Sequence, residues 1–143
     1  MSNVIDRVRS VMGERYHYIR NFMTDRPLIN WGYREMVGLS NPDLFSSIHV
    51  RRLYEAGKLS PAQATPFGPR VAEELYDLKT DPDEINNLAN DPRHTQVRAL
   101  MRTALEKWIQ DTDDKGQYPR SAAALKEVKD RLPESWLKSP EFN

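Results

Sequence analysis

The chain has no cysteine, which excludes disulfides, thiolate metal sites and a cysteine nucleophile. Its six glycines are scattered. None of them builds the Gly-x-Gly-x-x-Gly or Walker loop whose backbone amides cradle phosphate. No apolar run approaches the ~20 residues that span a bilayer. The opening Met1-Ser2-Asn3-Val4-Ile5-Asp6 has neither the basic nor the apolar block of a signal peptide. Neither sign of charge prevails: 21 basic and 21 acidic residues give a net charge of zero, which disfavours a broad nucleic-acid-binding face. The three histidines, His17, His49 and His94, fall on separate expected elements with no His-x-x-x-His pair, so zinc is not expected. Calcium fails as well. An EF-hand loop begun at Asp81 puts Asn86 where glycine belongs and Pro92 where glutamate belongs; one begun at Asp111 finds Gly116 but ends on Ala122.

What is present fits one domain with a modest core: 143 residues, 38% of them apolar. A mean hydropathy of −0.75 and ten prolines indicate a thin core and long surface segments. Residues 1–71 hold 10 Lys/Arg against 6 Asp/Glu, and residues 72–143 hold 11 against 15. The basic first half suits an anionic ligand, although ordinary solvated charge is the better account of it.

Two strand-like runs come first, Ile5 to Met12 and Tyr16 to Phe22, with Gly13-Glu14 as the turn of a hairpin. Tyr16, Tyr18, Arg20 and Phe22 share one face at period two. An irregular stretch, 23–40, carries Trp31, Tyr33 and Met36; connections this long are usually functional or docked. Asn41 and Pro42 start a helix that Gly57 ends, and Ser60-Pro61-Ala62-Gln63 forms a short capping box. Val71 to Leu78 reads as a third strand, with Leu75 and Asp77 on one face and Tyr76 and Leu78 on the other. Asp81-Pro82-Asp83-Glu84 reads as a capped helical turn giving Ile85 and Leu88 to the core. Asp91-Pro92 caps the longest helix, about 92–111, whose Val97, Leu100, Met101, Ala104, Leu105, Trp108 and Ile109 form an apolar stripe. Ser121 caps a last helix, 122–131, stopped by Pro133. The expected fold is α+β: a small antiparallel sheet of about four strands packed against a long helix, with further short helices. Two segments are expected, 1–118 as sheet plus helix and 119–143 as a helical tail. No self-contained active site or metal site is legible.

The run Glu74-Leu75-Tyr76-Asp77-Leu78, then Asp81-Pro82-Asp83-Glu84 and Asn87-Leu88-Ala89, resembles a segment near the end of type I sulfatases. Arg7-Val8-Arg9-Ser10-Val11 followed by Arg15-Tyr16-His17-Tyr18-Ile19 is similar to that family's preceding strand pair, with His17 where lysine is usual. Ala89 to Lys107-Trp108 most resembles the heparan N-sulfatase (sulfamidase) branch. Together these cover roughly residues 5–118.

The resemblance implies an excised, non-catalytic C-terminal subdomain of a sulfuric ester or N-sulfate hydrolase, shaping one side of the substrate pocket. It implies formylglycine and calcium for the intact enzyme and no cofactor in this chain, where no Cys/Ser-x-Pro-x-Arg occurs. The implied partners are the catalytic domain and a sulfated saccharide or other sulfate ester, with self-association through the exposed docking face. Neither nucleic acid nor membrane is expected. Such enzymes are often secreted, periplasmic or lysosomal. In the 23–40 loop and just before it, Asn21, Arg26, Tyr33 and Arg34 are the candidates to face substrate; arginine suits planar anion recognition. A stand-alone module binding sulfated glycan or protein is the alternative.

Overall fold

A computed structural model of the chain describes residues 5–28, 46–134, 137 and 142, with side chains described from His49 onward in the second stretch. In chain order its elements are β1 (Val8–Met12), β2 (Tyr16–Asn21), α1 (Ser46–Glu55), α2 (Pro61–Ala64), β3 (Glu73–Asp77), α3 (Thr95–Asp111) and α4 (Ala122–Arg131). The chain divides into two compact units. One takes residues 7–24 and 70–118; the other takes the remainder.

The first unit is a sheet with one helix across it, the α+β arrangement expected. The sheet is antiparallel in the order β1-β2-β3, three strands among the described residues where about four were expected. The hairpin loop is Glu14-Arg15, one residue later than the glycine suggested, because Gly13 N–H donates to Tyr16 O at 2.9 Å. The register sets Val11, Tyr18 and Leu75 side by side on one face. There they join Ala89, Leu105 and Ile109 in the core, with Val97, Met101 and Leu88 packed at its margin. Tyr18 and Leu75 are fully buried.

Asp91 accepts the Arg93 amide at 2.9 Å and opens a 3-10 turn, Pro92–His94, that runs into α3. At the other end Asp113 takes a left-handed φ of 50°. The Asp114 amide then reaches Ile109 O at 3.0 Å and the Asp113 amide Gln110 O at 3.1 Å, a Schellman closure made without glycine. The apolar stripe is wider than the surface a three-stranded sheet can cover. Leu105 and Ile109 are buried, while Leu100 stays 71% and Trp108 51% exposed.

The expected helical turn after Asp81 is absent. The Asp81 carboxylate does accept amides, from Ile85 at 3.1 Å and Asn86 at 2.7 Å. Glu84 sits at φ 55°, however. A left-handed residue there stops helical propagation, and Ile85 is left exposed rather than given to the core.

In the second unit α1 ends as expected at Gly57, in the left-handed region at φ 65°. Lys58 N–H closes onto Leu53 O and Gly57 N–H onto Tyr54 O. Tyr54 stacks on Phe67 with ring centroids 5.0 Å apart. Ser60 and Gln63 cap α2 reciprocally, and Ser121 Oγ accepts the Ala124 amide at the start of α4. The Asn41-Pro42 helix start lies outside the described residues.

Candidate functional site

The segment that carries the family resemblance is β3 with the turn after it. Asp77 is buried and takes a two-pronged pair from Arg15, Nε to Oδ1 at 2.9 Å and Nη2 to Oδ2 at 2.7 Å, plus the Lys79 amide at 3.2 Å. The Arg15 hydrogen bonds outweigh burial and bring the Asp77 carboxyl down to about 2. Tyr76 donates its hydroxyl to Glu74 Oε2 at 2.5 Å, and Glu74 Oε1 accepts from Asn21 Nδ2 at the same distance. Burial, reinforced by Glu74, pushes the Tyr76 phenol upward and keeps it neutral. His17 Nδ1 lies 2.7 Å from Glu84 Oε1.

Asn87 has a role the sequence did not announce. Its Oδ1 accepts the Leu75 amide at 3.0 Å and the Ala89 amide at 2.9 Å, and its Nδ2 donates to Glu73 O at 3.2 Å. Leu88 N–H then bonds Leu75 O at 2.8 Å, while Asp77 O accepts the Thr80 and Asp81 amides. The carbonyls of Glu73, Leu75 and Asp77 and the amide of Leu75, all pointing away from β2, are thereby engaged. The Asn-Leu-Ala run is a seal along the outer edge of β3.

At the far end of the sheet lies a concave region of about 640 Å³ lined by Arg20, Asn21, Phe22, Glu73, Arg102 and Glu106, among others. Its floor is a charged relay. Tyr18 donates its hydroxyl to Glu73, whose two oxygens also accept Arg102 Nε at 2.6 Å and Nη2 at 2.5 Å. Arg20 pairs with Glu106 at 3.0 Å at the rim and stands over the Phe22 ring, 5.5 Å from its centroid. Burial pushes Glu73 up, but Arg102 and the Tyr18 hydroxyl bring it below its ordinary value. Burial and then Glu73 raise Tyr18. Neither group is poised to exchange a proton near neutral pH, and the two arginines here are each matched by a glutamate. The cavity is polar and balanced, without a nucleophile–base pair.

Of the four expected substrate-facing residues, Asn21 is buried in the first unit, its Nδ2 hydrogens spent on Val71 O at 2.8 Å and on Glu74. Arg26 belongs to the second unit. It is also buried, clasping the neighbouring Asp25 carboxylate and donating Nη1 to Ile5 O at 3.2 Å. Tyr33 and Arg34 lie outside the described residues. No group of three or more acidic or histidine side chains converges to hold a metal ion among the described residues. They do not fit the calcium that the resemblance implies for the whole enzyme. No helix among them is long and apolar enough to cross a membrane.

An ulvan-active sulfatase of Formosa agariphila is 32% identical over 118 residues, 81% of this chain and 19% of that protein. The human N-sulphoglucosamine sulphohydrolase is 47% identical over 45 residues, 32% of this chain and 9% of its own length. The chain is related to the sulfatases. A delta 4,5-hexuronate-2-O-sulfatase of Bacteroides thetaiotaomicron extends the group, 45% identical over 42 residues, 29% of this chain and 9% of that enzyme. No family model matches the chain. This sulfatase-related chain spans about a fifth of the length of the ulvan-active enzyme and about a tenth of the other two.

Proposed function

We propose that the chain is the C-terminal, non-catalytic portion of a sulfatase or sulfamidase-like hydrolase and is inert on its own. One observation carries this reading. The side chains of the family-like segment (Asp77, Tyr76, Asn87 and Asp81) are engaged in internal hydrogen bonds, as a folding element requires and a reaction centre does not. The sequence adds support, since it has no cysteine and no Ser-x-Pro-x-Arg from which formylglycine is made.

In this proposal a catalytic domain brings the formylglycine and calcium, and the substrate is a sulfated saccharide or other sulfate ester. Residues 1–118 form the subdomain and 119–143 a helical tail. The stretch holding Arg26, Tyr33 and Arg34 closes one side of the pocket. The test is sulfate release by the purified chain from an aryl sulfate and from glucosamine N-sulfate. The expected result is no turnover above buffer; measurable turnover overturns the proposal. Saturable, salt-sensitive retention of the isolated chain on heparin would favour the binding-module alternative instead.

A further inference from the structure

The two edges of the sheet are finished differently. The outer edge of β3 is covered at Glu73 O and at both backbone groups of Leu75 by Asn87 and Leu88, as described above. On β1, hydrogen bonds from Phe22 N–H to Arg7 O and from Gly13 N–H to Tyr16 O mark the pairs 7·22 and 13·16 as bonded. Bonded pairs alternate along an antiparallel ladder, so Arg9 and Val11 face β2 while Val8, Ser10 and Met12 turn their backbone groups outward. Among the described residues, no hydrogen bond is made by the outward backbone groups of Ser10 or Met12. Val8 O takes Arg9 Nη1 at 2.8 Å and keeps a second lone pair. Ser10 is exposed, and Met12 is 62% exposed. The strand carries neither a lysine nor a proline nor a bulge, and its one charged side chain, Arg9, is held by Asp114.

We infer that β1 pairs antiparallel with β1 of a second copy of this chain, making one continuous six-stranded sheet across a two-fold axis at Ser10. The pairing follows from complementarity along the strand. With Ser10 opposite Ser10, Val8 faces Met12 of the other copy, and all three outward residues become bonded pairs. Arg9 faces Val11. Directly opposed like charges would disfavour such a ladder, and within Val8–Met12 there are none. The one charge on the strand is already neutralised, since Asp114 holds Arg9 through Nε at 2.6 Å and Nη2 at 2.9 Å. A net charge of zero removes the general repulsion that keeps copies apart. The interface is isologous, so it closes at two copies. The inference rests on backbone geometry and does not depend on the sulfatase reading.

Sedimentation equilibrium of the whole chain across the micromolar range tests it. The expected result is a reversible monomer–dimer equilibrium. Ser10→Pro removes an outward N–H, a position where an edge strand tolerates proline, and should abolish the dimer; Ser10→Ala should keep it. Met12→Lys, at an exposed side chain, should weaken association at least tenfold without disturbing the fold and decides the matter if Ser10→Pro fails to fold. A chain that stays monomeric throughout overturns the inference. So does a folded Ser10→Pro or Met12→Lys protein that dimerises like the parent, or a species larger than a dimer.

Discussion

Asp77 shows how much of one residue's behaviour is set by its partners. Its carboxylate is shielded from water, and Arg15 grips both oxygens while the Lys79 amide adds a third bond. The folded-state value is about 2, below the ~3.9 of an unfolded aspartate. A depressed carboxylate contributes stability that is fully present above the unfolded value and is lost as pH falls through the folded one. The urea midpoint of the chain should therefore fall between about pH 4 and pH 2. Asp77→Asn should be less stable at neutral pH and should lose a distinct part of that slope. Other low-lying carboxylates, Asp91, Asp114 and Glu73, supply the remainder. A variant with an unchanged acid profile would show that the Arg15 pair does not couple to folding.

At the scale of elements, the outer edge of β3 depends on a loop, as its inner edge depends on β2. Asn87→Ala removes the acceptor of the buried Leu75 amide and the donor to Glu73 O, and an orphaned buried N–H costs about 1–3 kcal/mol. Asn87→Asp keeps the acceptor for the Leu75 amide but replaces the donor by a carboxylate oxygen facing Glu73 O. The retained amide bonds should still make it the less costly change. Urea unfolding ranks the two, and hydrogen exchange should show the Leu75 amide exposed in the alanine variant alone. The elements themselves were largely legible. Ser60, Ser121, Gly57 and Asp91 each sit where local chemistry demands a cap, and the period-two faces of β2 and β3 emerge as read. Hidden features were those that join distant residues or break a local rule. The Arg9–Asp114 pair spans 105 positions, and nothing near either residue names the other. Glu84 adopts a left-handed conformation that a capping pattern argues against. The role of Asn87 requires knowing which edge of β3 is bare. At the candidate site, donor types were legible but burial was not, and Asn21 and Arg26 prove to be buried.

At the scale of the whole chain, the first unit is discontinuous. About fifty residues separate β2 from β3, and most belong to the second unit. The two ends of that connection nevertheless meet, because Asn21 N–H bonds Ala72 O at 2.9 Å. A short Gly/Ser linker can therefore join Thr24 to Arg70 without stretching the sheet. Every member of the core cluster, Tyr18, Leu75, Ala89, Leu105 and Ile109, lies outside the excised stretch. Replacing about fifty connecting residues by about ten should favour strand closure by about 1.4 kcal/mol if the connection behaves as a flexible loop. The shortened chain should unfold cooperatively and keep the Tyr18 and Leu75 amides protected from exchange. Loss of that protection would mean that residues 25–69 are required for the sheet to form. If protection is kept, the deletion has removed Arg26, Tyr33 and Arg34 and left the sheet intact. A catalytic partner assayed with each form would then separate a substrate-facing role of that stretch from any role in folding.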